Sequence, residues 1–221
     1  MTQHGANDNL QIDLSTPLSV RTAFWFPLQN NAARREVLIG AAMLLIPVIG
    51  WLVNMGHRIQ FVHNMQHGKP AWPAWRNFPR LLWLGFITSL GMVEYHLPAA
   101  LIGLLAWRWQ SASLSVLAIV LWITATITVP GYMTHYCRRF DAREVLNPLR
   151  AMRRVLQGGP AYWHAWLITL TALAVSFIGL LAFGVGFLVT SVWFWQVAGY
   201  SFATVFTREF ELADSSPKES K

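Results

Sequence analysis

SLSVLAIVLWITATITVPGYMT, residues 113–134, contains no Asp, Glu, Lys or Arg. At 1.5 Å rise per residue, a helix over this stretch is roughly 30 Å long, the thickness of a bilayer's hydrocarbon core. Such a stretch can bury its backbone polar groups in lipid only as a helix or in a closed barrel, and its unbroken apolar run fits the helix. Four more apolar segments lie around it: 37–55, 81–107, 165–183 and 186–206. The last two meet at Phe183-Gly184-Val185-Gly186, which reads as a tight turn. The expected fold is therefore all-α: a polytopic integral membrane helical bundle of about five apolar segments. Residues 1–20 read as a disordered tail, 21–207 as the helical membrane domain and 208–221 as a second disordered tail.

Composition agrees with that reading. The 221 residues are 54% hydrophobic and only 12% charged, where soluble domains carry about 25% charged residues. The net charge of +7 does not point to nucleic acid. The Arg residues sit between apolar segments, and no segment is long enough for a basic soluble domain. Cys137 is the single cysteine, so no internal disulfide or cysteine-based zinc site is expected. The first apolar segment starts near Val37, too late for a cleavable signal, so it is expected to be retained.

Charge also sets the expected orientation. Of the 17 Lys and Arg residues, 13 fall in loop 56–80, loop 135–164 and the C-terminal tail. The positive-inside rule puts all three in the cytoplasm of a bacterial inner-membrane protein. Two alternatives remain for segment 37–55. If it spans fully, the N-terminus lies outside. If it kinks or re-enters at Pro47 and Gly50, the N-terminus stays inside and the re-entrant backbone must be covered by protein.

Loop 135–164 contains the clearest amphipathic element. Asn147-Pro148 starts a helix and Gly158-Gly159-Pro160 ends it. Leu149, Met152 and Leu156 form an apolar stripe, with Arg150 and Arg154 opposite and Arg153 on the flank. A helix of this kind lies on the inner leaflet and attracts anionic lipid headgroups or a protein partner. In the first loop, Trp72 and Trp75 of KPAWPAWRNFPR (69–80) are expected as interfacial anchors or a docking patch.

GMVEYHLPAA, 91–100, places Glu94, His96 and Pro98 inside the second segment. Pro98 lacks an N–H, so a bend and a bared Glu94 carbonyl are expected. Gly85, Ser89, Met92, His96, Ala99 and Gly103 form a mostly small stripe of the sort that packs helices in membranes. His96 should therefore face another helix, with Thr124, Thr128, Gly131 and His135 as the candidate partner face. Glu94 is about 200° away from His96 and does not pair with it. His63 and His67 lie four apart, but two histidines are no metal site. No phosphate loop, nucleophile triad or carboxylate pair stands out, and no cofactor is expected.

A resemblance adds to this. Pro47-x-x-Gly50, then Gly56-His57-Arg58, then HGKPAWPAW, together with RRFDAREVLNPLR at 138–150, resembles a family of prokaryotic multi-pass membrane proteins. That family is known only as domain of unknown function four-zero-one-three. His57 stands where the family has Tyr, and Ala and Arg follow the Trp where acids are usual. The resemblance implies a compact helical membrane domain and no activity. The functional expectation is a non-enzymatic membrane subunit or scaffold that binds lipid or a partner protein. The alternative is a small oligomeric transporter or channel using Glu94 and His96.

Overall fold

The structure is a computed structural model that describes Leu14 and residues 17–215, with side chains to Thr207. Residues 1–13, 15–16 and 216–221, where most of the expected tail disorder falls, lie outside the described residues. The chain is all-helical, with no strand among the described residues. In order it forms α1 (Val20–Trp25), α2 (Asn31–Met43), α3 (Ile49–Gln66), α4 (Phe78–Trp109), α5 (Ala112–Arg139), α6 (Ala142–Val145), α7 (Pro148–Ser176) and α8 (Val185–Ser215). Short 3₁₀ turns follow α1 and α7. Helix α8 continues past 207, where the ordered domain was expected to end.

The first apolar segment does not cross as one helix. It breaks between α2 and α3 and folds back on itself. Asn54 donates to the Gly40 carbonyl at 3.1 Å, and a Cβ on Gly50 would strike the Met43 carbonyl oxygen. Glu36 meets His57 at 2.7 Å. These pairs are equidistant from one turn, as in an antiparallel helical hairpin. The full span is thus corrected to the folded-back form. The physical reason lies at Pro47, which cannot donate to the helix ladder. The next residue, Val48, takes φ 63° and ψ −62°, and the Ile49 amide donates to the Pro47 carbonyl at 2.7 Å. This is a γ-turn, a strained geometry for a β-branched residue.

Three helices among the described residues are long and apolar enough to cross a membrane: α4, α5, and α7 with its continuation to Leu181. Only 11% of the most apolar window of α5 is buried inside the protein, so its remaining surface is an apolar exterior suited to lipid. Five spans are not confirmed: these three meet the length and hydropathy of a span among the described residues. Helix α8 runs through the middle of the bundle and touches α1, α2, α3, α5 and α7. It buries Gln196, Ser201 and Thr204 against protein.

Local signals place the elements. Asn77, Ser111 and Asn147 cap α4, α5 and α7 through their side chains, satisfying N–H groups that a helix start leaves open. Gly159 takes φ 50° and breaks the helical path of α7 just before Pro160, where the sequence ends the amphipathic helix. Phe183 and Gly184 take positive φ in the turn to α8. Helices α3 and α4 approach backbone to backbone. A Cβ on Gly56 would collide with the Leu81 carbonyl, and one on Gly85 with the Leu52 carbonyl.

Candidate functional site

The base of the α2–α3 hairpin carries a buried polar cluster. Glu36 and His57 are 3% and 2% exposed. His57 Nε2 and the Ala74 amide both meet Glu36 Oε2, at 2.7 and 3.1 Å. The Trp75 indole N–H donates to the Glu36 carbonyl at 3.0 Å, and its ring stacks on the imidazole at 4.1 Å. Segment 69–77 therefore folds over the hairpin base as a strap. Burial pushes the His57 pKa down and the Glu36 carboxylate opposes it. The net direction is down, so His57 is neutral at pH 7 and donates its Nε2–H to the carboxylate.

Arg58 follows directly in α3, rotated about 100° from His57, and turns away from Glu36 toward α5 and α8. It is 7% exposed and makes no ion pair among the described residues. Its hydrogen bonds all run from Nη2 to sulfur, at Met55 (3.1 Å) and Met133 (3.2 Å). The guanidinium carbon lies 4.5 Å over the Trp195 ring. Sulfur is a weak acceptor, and the cation–π contact returns only part of the hydration lost. Among the described residues, Nε and Nη1 have no hydrogen-bond acceptor.

Arg58 opens onto a cleft of about 420 Å³ between α3, α4, α5, α7 and α8. Its walls are mostly apolar, including Ile59, Val62, Val129, Leu173 and Phe202, with Arg58 the one guanidinium. Thr126, Trp166 and Leu170 also line a second hollow of about 440 Å³ between α5 and α7. Outward from there the lining is Ile123, Ile127, Trp163 and Leu167. The two hollows adjoin at the three shared residues, so mostly apolar surface runs from Arg58 toward the α5–α7 side of the bundle. Along α5, the step from Met133 to Ile123 is roughly 15 Å. The volume is within the ordinary range for small-molecule sites, about 300–1,000 Å³.

The residues singled out by sequence are distributed differently. The stripe Gly85, Ser89, Met92, His96, Ala99 and Gly103 does face protein, and Trp83, Leu90 and Leu101 are exposed. His96 lines the cleft and meets α5, but its partner is Thr126 Oγ1 at 3.2 Å, with Nδ1 on the Met92 carbonyl at 2.8 Å. Thr124 and Thr128 hydroxyls are occupied by the carbonyls of Val120 and Ala125. His135 bonds the Gly131 carbonyl and packs edge-on to Phe206 of α8. The expected face is thus shifted to Thr126, because the approach of α4 sets which turn of α5 meets His96. Pro98 is exposed, and α4 runs through it without interruption. Glu94 is half-buried and does not line the cleft.

The tryptophan expectation is corrected. Trp72 is 4% exposed and packs on Phe26, Phe61 and His57, so it is no surface anchor. Trp75 covers the Glu36–His57 pair. The strap's three prolines keep 69–77 out of a helix, which lets it turn both rings inward. Arg150 bonds Glu144 at 2.9 Å, and Arg154 lies 3.8 Å from the same carboxylate. Arg153 is exposed. Leu149 and Leu156 are 83% and 75% exposed, so the apolar stripe of this helix is uncovered.

Glu36, His57 and Arg58 are not singled out as site residues by the sequence. The folded-back alternative holds the signal that finds the first two: residues equidistant from a turn at Pro47 meet. For Arg58 no sequence signal exists, because its neighbours beyond Met55 come from α5 and α8. Comparison with known proteins gives no match: no family model, curated protein or solved structure matches this chain.

Proposed function

We propose that this chain is a non-enzymatic integral membrane protein that binds lipid within the bundle, in the cleft between α3, α5, α7 and α8. The observation that carries the reading is the cleft itself: about 420 Å³, apolar, and continued by the α5–α7 hollow toward the lipid-facing exterior. An apolar path of that kind matches an acyl chain better than a hydrated solute. In this reading the protein sits in a bacterial inner membrane, with the basic end of the bundle at the cytoplasmic face. The exposed stripe of Leu149, Met152 and Leu156, with Arg153 beside it, rests on the inner leaflet among anionic headgroups. The family resemblance around Pro47, Gly50 and HGKPAWPAW belongs to the same proposal and adds no activity to it.

The transporter alternative is less supported, because His96 is fully engaged and Glu94 stands apart from the cleft. The test is lipid analysis of the protein purified in mild detergent. Thr126→Trp, which fills the junction of the two hollows, should lower the amount of co-purifying lipid to well under half of the parent's. Equal lipid in both proteins would refute the reading.

A further inference from the structure

We infer that Arg58 reads the head of the bound molecule, and that the occupant is a single-chain amphiphile with a carboxylate head, a free fatty acid. This rests on the cleft being a lipid site and deepens that reading. Three observations carry it. Arg58 is buried yet has no carboxylate partner among the described residues, where only one of its three nitrogens is bonded. It lies toward one end of the apolar path, at the level of Met133, within two turns of Arg138 and Arg139 at the end of α5. The path leads from it into the depth of the bundle, past Thr126 and Leu170, and out between α5 and α7.

Nε and Nη1 keep N–H groups on separate edges of the guanidinium, and either can give a charge-assisted hydrogen bond to a carboxylate oxygen. The cleft lining holds no Lys and no second Arg. A phosphodiester with glycerol beyond it would need further polar partners around Arg58. The neighbours are instead Met55, Met133 and Trp195. The mostly apolar walls, with Thr126, Thr134 and Thr169 among them, accept one chain and carry one permanent charge, at Arg58. In the empty protein the arginine is a buried charge with weak partners, so it stabilises the fold little or not at all. In the occupied protein it gains its counter-ion.

The experiment uses the full chain, purified and delipidated in detergent at about pH 8, well above carboxyl pKa values. The probes are radiolabelled palmitate and hexadecanol, with dioleoylphosphatidylglycerol as competitor. Palmitate should bind saturably and more tightly than hexadecanol. Arg58→Met should weaken palmitate roughly ten- to a hundredfold, the size of a charge-assisted hydrogen bond. It should leave hexadecanol binding, and the melting temperature of the lipid-free protein, unchanged or higher. Palmitate binding equally well to parent and Arg58→Met overturns the inference. So does displacement of palmitate by the two-chain phospholipid at lower concentration than by palmitate itself. If Arg58→Met does not fold, the parent still decides: hexadecanol binding as tightly as palmitate overturns it. Thr126→Trp separates the two levels. Both probes bound normally by that variant refutes the cleft as a lipid site. Both probes lost there, with no effect at Arg58, refutes only the carboxylate reading.

Discussion

Glu36 is held at the hairpin base by His57, by the Ala74 amide and, through its carbonyl, by Trp75. Removing the carboxylate strands two buried donors. Glu36→Ala is therefore expected to destabilise the protein by on the order of 3 kcal/mol, read as a lower melting temperature in detergent. The same pair makes stability depend on pH. The His57 pKa is lowered in the fold, so below the ordinary imidazole value of 6.5 the unfolded chain binds the proton the folded chain refuses. Stability is full above that pH and falls as pH drops through it. His63, also lowered by burial, adds to the same slope. Melting at pH 7.5 and 5.5 should show the fall, and His57→Gln should show a smaller one.

At the scale of elements, the hairpin tip and the α3–α4 contact are the two places where backbone geometry decides the outcome. Val48 holds a positive φ at an exposed tip, 69% accessible. Glycine adopts that conformation without the Cβ penalty. Val48→Gly is expected to stabilise by about 1 kcal/mol, the low end of such strain energies, seen as a higher melting temperature. No change or a fall would show that the Val48 side chain contributes more than its backbone costs. At Gly85 the sign reverses. A Cβ there meets the Leu52 carbonyl, so Gly85→Ala should cost about 1–3 kcal/mol as the helices are pushed apart. The small stripe on α4 was legible in the sequence because it repeats at helical spacing. Its partner was not, since α3 lies in a segment whose folding back depends on one turn. The sequence left that segment open between a span and a re-entrant form.

For the whole molecule, the hairpin has a topological consequence. Asn30 before α2 and Gly68 after α3 belong on one side of the membrane. Cys137 is 1% exposed, so thiol labelling reports introduced cysteines over a low background. Asn30→Cys and Gly68→Cys should react with an impermeant reagent from the same side in oriented vesicles; labelling from opposite sides would rule out the hairpin. The apolar runs by themselves determined an all-helical chain built for a membrane, because a charge-free stretch of bilayer length has few other stable forms. Caps and breakers such as Asn147, Pro148 and Gly159 were equally legible, since their effects act within a turn of the chain. The pairing of Glu36 with His57, the inward turn of Trp72 and the isolation of Arg58 were decided only by tertiary structure. The pair needs the fold-back at Val48, which the sequence left open, and Arg58 depends on side chains that arrive from α5 and α8.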